Sequence, residues 1–176
     1  MLRLVHCKVN AARERPAMLI RFAIDDDLPG ISSLLEQVLA LHAEGRPDIF
    51  RAGTRKYTDA QILELIADDG RPLFVAVAED AAPGELMGYA ICKIEDYRAS
   101  NNHQPIRTLH IDDFVVDEKV RGRHVGAELY HHVLDWAREQ GFFNVTLNVW
   151  ECNPGARAFY EAMGMKVMKT EMEAIL

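Results

Sequence analysis

Three strand-like runs, residues 73–78, 86–94 and 108–116, follow one another with no helical segment between them. Parallel neighbours need a long crossover, usually a helix, so this order argues against a doubly wound parallel sheet. The Pro83-Gly84 turn joins the first two runs as a hairpin. Upstream, residues 19–23 read as a strand. Asp26 and Asp27 then offer helix caps, with Pro29 in the first turn and Ile31, Leu34, Leu35, Val38, Leu39 and Leu41 at helical spacing. Residues 42–56 read as irregular, and Thr58 caps a short helix carrying Ile62, Leu65 and Ile66. Downstream, Val125, Leu129, Val133, Leu134 and Ala137 form the buried stripe of a helix that stops at Gly141. Residues 144–149 alternate as a half-buried strand. Asn153 and Pro154 open a short helix ending at Gly164, and 166–174 read as a last strand. The order β-α-α-β-β-β-α-β-α-β defines a mixed α+β sheet.

At 176 residues the chain suits one domain, here 18–176. Residues 1–17 carry Arg3, Lys8, Arg13 and Arg15 without a continuous apolar core, so we expect a dispensable extension rather than a signal peptide, with Met18 as an alternative start. The net charge of −7 argues against a general nucleic-acid partner. No apolar run reaches membrane-spanning length. Cys7, Cys92 and Cys152 are odd in number and widely spaced, which fits reduced thiols and a cytoplasmic setting. No Cys/His cluster has zinc spacing, and His131-His132 lacks the i,i+4 separation of a helical metal site, so no metal is expected.

The stretch Val120-Arg121-Gly122-Arg123-His124-Val125-Gly126-Ala127 lies between a strand and an amphipathic helix. Backbone N–H groups at a helix start are unpaired and carry the positive end of the dipole. Gly122 and Gly126 allow close approach to the backbone, and Arg121 and Arg123 add charge. A phosphate or pyrophosphate is the ligand this chemistry suits. No Gly-Lys-Ser/Thr follows, so it is not the phosphate loop of an NTPase.

This loop, its flanking elements and the later run from Asn153 through Phe159-Tyr160 to Gly164-Met165 resemble the Gcn5-related N-acetyltransferase (GNAT) superfamily over residues 19–174. The resemblance implies a mostly antiparallel central sheet flanked by helices, with a splayed strand pair holding acetyl-CoA. It implies that Arg121, Gly122, Arg123, His124, Val125, Gly126 and Ala127 hold the pyrophosphate. Phe114, Val115 and Val116 would pair their backbone with the pantetheine arm, a strand N–H near Val115 would donate to the thioester oxygen, and Asn153 would touch the arm from the other side. Tyr160 would be the general acid for the leaving thiolate. The family's first motif glycine falls at His124, which reaches positive φ only at a cost of about 1 kcal/mol. A homodimer also follows from the resemblance.

The amine must lose a proton. Asp112 and Asp113 adjoin the cofactor segment. Strand alternation lets only one face the cleft, and the diamine-acetyltransferase-like run Ile-Asp-Asp-Phe-Val-Val favours Asp112, leaving Asp113 structural. Plainer roles compete: Tyr160 as a core aromatic, Asn153 as a helix cap, the two aspartates as a salt-bridged pair, and His42, Glu44 and Asp48 as surface residues. Cys152 lacks a His partner for nucleophilic work. The expected activity is acetyl transfer to a small-molecule primary amine in a ternary complex. The alternatives are a protein lysine or N-terminal acetyltransferase, or a non-catalytic CoA-binding module.

Overall fold

The computed structural model describes residues 17–176; the expected extension, apart from Ala17, lies outside the described residues. Five strands form one sheet: β1 (Met18–Phe22), β2 (Leu73–Ala78), β3 (Gly88–Asp96), β4 (Arg107–Val116) and β5 (Asn144–Leu147). They lie in sequence order. The first four are antiparallel, and β5 runs parallel to β4. Four helices cover the sheet: α1 (Leu28–Gly45), α2 (Asp59–Ile66), α3 (Val125–Glu139) and α4 (Pro154–Ala162).

Alternation along β2 sorts its side chains between two cores. Leu73, Val75 and Val77 pack with Ile31, Leu34 and Leu35 of α1 and Ile62 and Leu65 of α2. Phe74 points the other way, toward Leu129, Tyr130 and Val133 of α3. α1 sits close to the β2–β3 turn because Gly30 has no side chain: a Cβ there would lie 2.3 Å from the Gly84 carbonyl oxygen.

Three sequence expectations are revised. Asp27 stands at the cap position of α1, but its buried carboxylate accepts instead from the Ile24 N–H (2.9 Å) and from both Arg21 terminal nitrogens (2.6 and 3.0 Å). Helix α1 runs on through Gly45, four residues into the segment read as irregular. The last strand is absent: residues 165–176 take no regular structure, and no strand of the sheet pairs with them. Thr58 caps α2 as expected, in a reciprocal capping box with Gln61.

Candidate active site

β4 is where the site is built. β5 pairs with it only from Thr108↔Asn144 to Ile111↔Leu147. Beyond Ile111, β4 continues to Val116 with β3 alone beside it, so Phe114, Val115 and Val116 present one unpaired backbone edge. The expected splay is therefore present, and it offers an extended amide chain a place to bond.

At the C-terminal end of this edge, a short turn (Glu118–Val120) leads to α3. Among the described residues, no group accepts from the backbone N–H of Gly122, His124, Val125, Gly126 or Ala127. Gly122 has φ +75°, and His124 is the one described non-glycine residue at positive φ, at 66°. A glycine there would relieve the left-handed strain, though it costs unfolded-state entropy. We expect His124→Gly to stabilise the fold by roughly 0.5–1 kcal/mol, checked by denaturant unfolding. The Arg121 Nε donates to the Val116 carbonyl oxygen (3.2 Å), tying the loop to the strand end, while the Arg123 guanidinium stays exposed and bonds to no described residue. This cradle of free donors and charge fits a pyrophosphate.

At the other end, a β-bulge re-aims the acids. Leu109 and Ile111 face α3, whereas Val115 faces α1 and α2, although all three are odd-numbered. An extra residue must lie between, and the register puts it at Asp112: Cys92 stands opposite Ile111 and Ile91 opposite Asp113. Both aspartates therefore point to the α1/α2 face, correcting the expectation that only one could. Asp112 Oδ2 accepts from Tyr57 Oη (2.8 Å), Arg71 (2.9 Å) and Lys56 Nζ (3.1 Å). Burial opposes its charge, but these donors hold its carboxyl below the usual carboxylate range. Asp113 is different. Its side chain is 8 % exposed, Lys56 Nζ is 3.9 Å away, and burial pushes its carboxyl up to about 6. The Tyr89 hydroxyl nearby is fully buried, has no full hydrogen bond among the described residues, and draws Asp113 slightly downward.

Tyr160 projects from α4 into the α3-side core, its ring packed among Phe114, Tyr130 and Phe159. Its hydroxyl bonds to no described residue. Burial raises it well above an ordinary phenol, and Asp113 raises it further. Asn153 caps α4 through Oδ1, accepting from the Ala156 N–H (3.1 Å), which leaves its amide nitrogen free to donate.

Lys56, Tyr57, Arg71 and Tyr89 did not stand out in the sequence; they are scattered along the chain and only the fold gathers them. Of the aromatic wall of His42, Phe50 and Trp150, with ring centroids 5.0–6.4 Å apart, the sequence singled out His42, in the segment that by resemblance borders the acceptor pocket, but not the contact among the three. Burial, and after it the charge of Lys56, hold the His42 imidazole below its ordinary range. Glu44 and Asp48 lie in the same region. Asp48 is engaged by Arg46 on the surface, and Cys152 packs against the end of α1.

Residues 35–165 match the acetyltransferase (GNAT) family, and the chain belongs to that family. It is 31% identical over 109 residues to glucosamine 6-phosphate N-acetyltransferase 1 of Oryza sativa subsp. japonica, covering 62% of each chain. It is 32% identical over 110 residues to a peptidyl-lysine N-acetyltransferase of Salmonella typhimurium, covering 61% of each. The chain thus spans less than two thirds of the length of these relatives. The fold superposes on the tetramutant of the BH1408 protein from Bacillus halodurans with a TM-score of 0.84 and 25% identity, covering 90% of this chain and 99% of that one. Among the described residues, no helix is long and apolar enough to cross a membrane, and no group of side chains could hold a metal ion.

Proposed function

We propose that this protein transfers an acetyl group from acetyl-CoA to the primary amine of a small molecule. The observation that carries the reading is the unpaired edge of β4, with free α3 N–H donors at one end and the bulged Asp112/Asp113 pair at the other. Acetyl-CoA supplies the acyl carbon and a thiolate leaving group. The loop from Arg121 to Ala127 holds the pyrophosphate, the edge at Phe114–Val116 aligns the pantetheine arm, and the Asn153 amide steadies it from the far side. A backbone N–H near Val115 donates to the thioester oxygen. Holding both substrates in line supplies the larger share of the rate.

Asp113 takes the amine proton in this reading. The sequence favoured Asp112, but three donors keep that carboxylate ionised and make it a weak base. Asp113, desolvated and titrating near 6, is matched to proton transfer around neutral pH. Asp112 positions Lys56 beside it. Tyr160 returns a proton to the departing sulfur.

A small acceptor fits best because Lys56 and Arg71 neutralise the acidic pair, so the cleft does not select a polycation. The aromatic wall gives a flat face suited to a sugar or other compact ring. The named activities of the rice and Salmonella relatives span a small amine and a lysine, so acceptor class is the point to test. CoA release should be followed with a thiol-reactive dye over amino sugars, polyamines, amino acids and lysine peptides. We expect amino sugars to stimulate release most; stimulation by peptides alone would replace the small-molecule reading with a protein acceptor. Acetyl-CoA binding by calorimetry without stimulated release by any amine would favour the non-catalytic module.

A further inference from the structure

A primary amine of the chain itself already lies against the acidic pair. Lys56 belongs to the connection between α1 and α2, and its neighbours fix the point from which its side chain starts. Arg55 pairs with Asp59 (2.7 Å), Tyr57 Oη donates to Asp112 (2.8 Å), and Thr58 caps α2. From that anchored backbone the stem runs to β4. Its Nζ donates to the Asp112 carboxylate (3.1 Å) and to the Asp112 backbone carbonyl oxygen (3.4 Å), and it lies 3.9 Å from Asp113 Oδ2. Burial opposes its charge, but Asp113 and Asp112 hold its ammonium above the ordinary range.

An acceptor for acetyl transfer must put a primary amine beside the base and next to the strand edge that aligns the thioester. Lys56 meets both conditions. Its side chain is 41% exposed, so it is not enclosed, and its flexible four-carbon stem lets the amine swing. Val115, whose N–H faces the thioester oxygen in the proposed binding mode, is two residues, or about 7 Å, along β4 from Asp113. The other described lysines, Lys93, Lys119, Lys166 and Lys169, are exposed, and among the described residues none of them pairs with either acid.

We propose that Lys56 is a self-acetylation site: with no acceptor in the cleft, its amine takes the acetyl group from acetyl-CoA bound to the same chain. This rests on the acetyl-transfer reading. Asp113 takes one proton from the ammonium, and the freed lone pair of Nζ forms a bond to the acetyl carbon. The carbon–sulfur bond breaks, and its electron pair goes to sulfur. Tyr160 gives the sulfur a proton, and the second proton leaving the nitrogen replaces it. The products are an acetyl-lysine amide, CoA thiol and one released proton. Two effects oppose each other. At about pH 7.5 roughly one free lysine in 10³ is uncharged, and the acid pair lowers that share for Lys56. Holding the amine beside the thioester outweighs this, because well-oriented intramolecular reactions reach effective molarities of about 10⁵ M or more. Exposed lysines have the first handicap without the second advantage.

Incubation of the full chain with acetyl-CoA and no acceptor, followed by peptide mass mapping, tests it. We expect one acetyl group per chain on Lys56, forming at least about 100-fold faster than on Lys93, Lys119, Lys166 or Lys169, with a rate constant independent of protein concentration. One equivalent of CoA should be released with it. Lys56→Arg keeps a cation beside the acids but offers no amine, and should release none. Asp113→Asn should remove the mark by removing the base. Lys56 left unmarked in a protein that releases CoA with an added amine overturns the proposal and leaves the acetyl-transfer reading standing. Marking no faster than on the exposed lysines, or at the parent rate in Asp113→Asn, overturns it as well. Neither a mark nor release with any amine overturns both.

Discussion

Asp113→Asn is expected to yield a protein more stable than the parent at pH 7 and nearly inactive. The folded chain holds the Asp113 carboxyl at about 6, against 3.8 without the fold, chiefly because burial disfavours its charge. Between those values the folded state binds more protons than the unfolded one. Stability therefore falls as pH rises through that window, and the deficit is complete above pH 6, at roughly 3 kcal/mol for about two units. Asparagine removes the charge and the deficit with it, while Lys56 keeps its closer partner, Asp112, at 3.1 Å. Urea unfolding should show a gain of up to about 3 kcal/mol at pH 7 that closes toward pH 4. If Asp113 is the base, turnover falls about 10²- to 10⁴-fold, and the acidic limb of kcat/KM near pH 6 disappears. A limb that persists would move the base to another group. Asp112→Asn is the control. It removes the charge that faces the Lys56, Arg71 and Tyr57 donors and should destabilise the fold, the opposite sign.

How far these roles could be read from the chain depends on the range of the interaction. Local signals were clear: Pro154 and Asn153 at a helix start, Thr58 with Gln61, and the alternation that placed β2 at residues 73–78. His124 at positive φ was legible through the resemblance, since the family's motif glycine falls where this chain supplies histidine. The bulge was not. Nothing in Ile-Asp-Asp-Phe marks Asp112 as the extra residue; that is decided by the register with β3, about twenty residues away in sequence. Strict alternation then forced a choice between the two acids, and the resemblance settled it on Asp112, the carboxylate that the fold ties up in ion pairs. The missing last strand failed for a related reason. Periodicity reports that a segment can pair, not whether the fold brings a strand alongside it.

Tyr160→Phe should separate chemistry from binding more cleanly than any other single change. The ring is buried against Phe114, Tyr130 and Phe159, and phenylalanine fills the same space. The hydroxyl bonds to no described residue, so deleting it leaves no partner stranded, and stability should stay within about 0.5 kcal/mol. Acetyl-CoA affinity should hold as well, because in the proposed binding mode the pyrophosphate donors belong to the α3 loop and the pantetheine arm would lie on β4. Turnover is where the loss appears. Burial and the Asp113 charge keep the phenol protonated far beyond neutral pH, so it is charged with its proton at every working pH. That same raised pKa makes it a reluctant donor, and a thiolate needs little help to leave. Turnover should therefore fall about 10- to 1000-fold, toward the lower end of what a general acid contributes. Pre-steady-state acetyl transfer and calorimetric binding of acetyl-CoA measure the two halves separately. Lost turnover with intact binding assigns the proton to Tyr160. Unchanged turnover means that water protonates the sulfur and that the tyrosine ring serves only to pack α4 against the open end of β4.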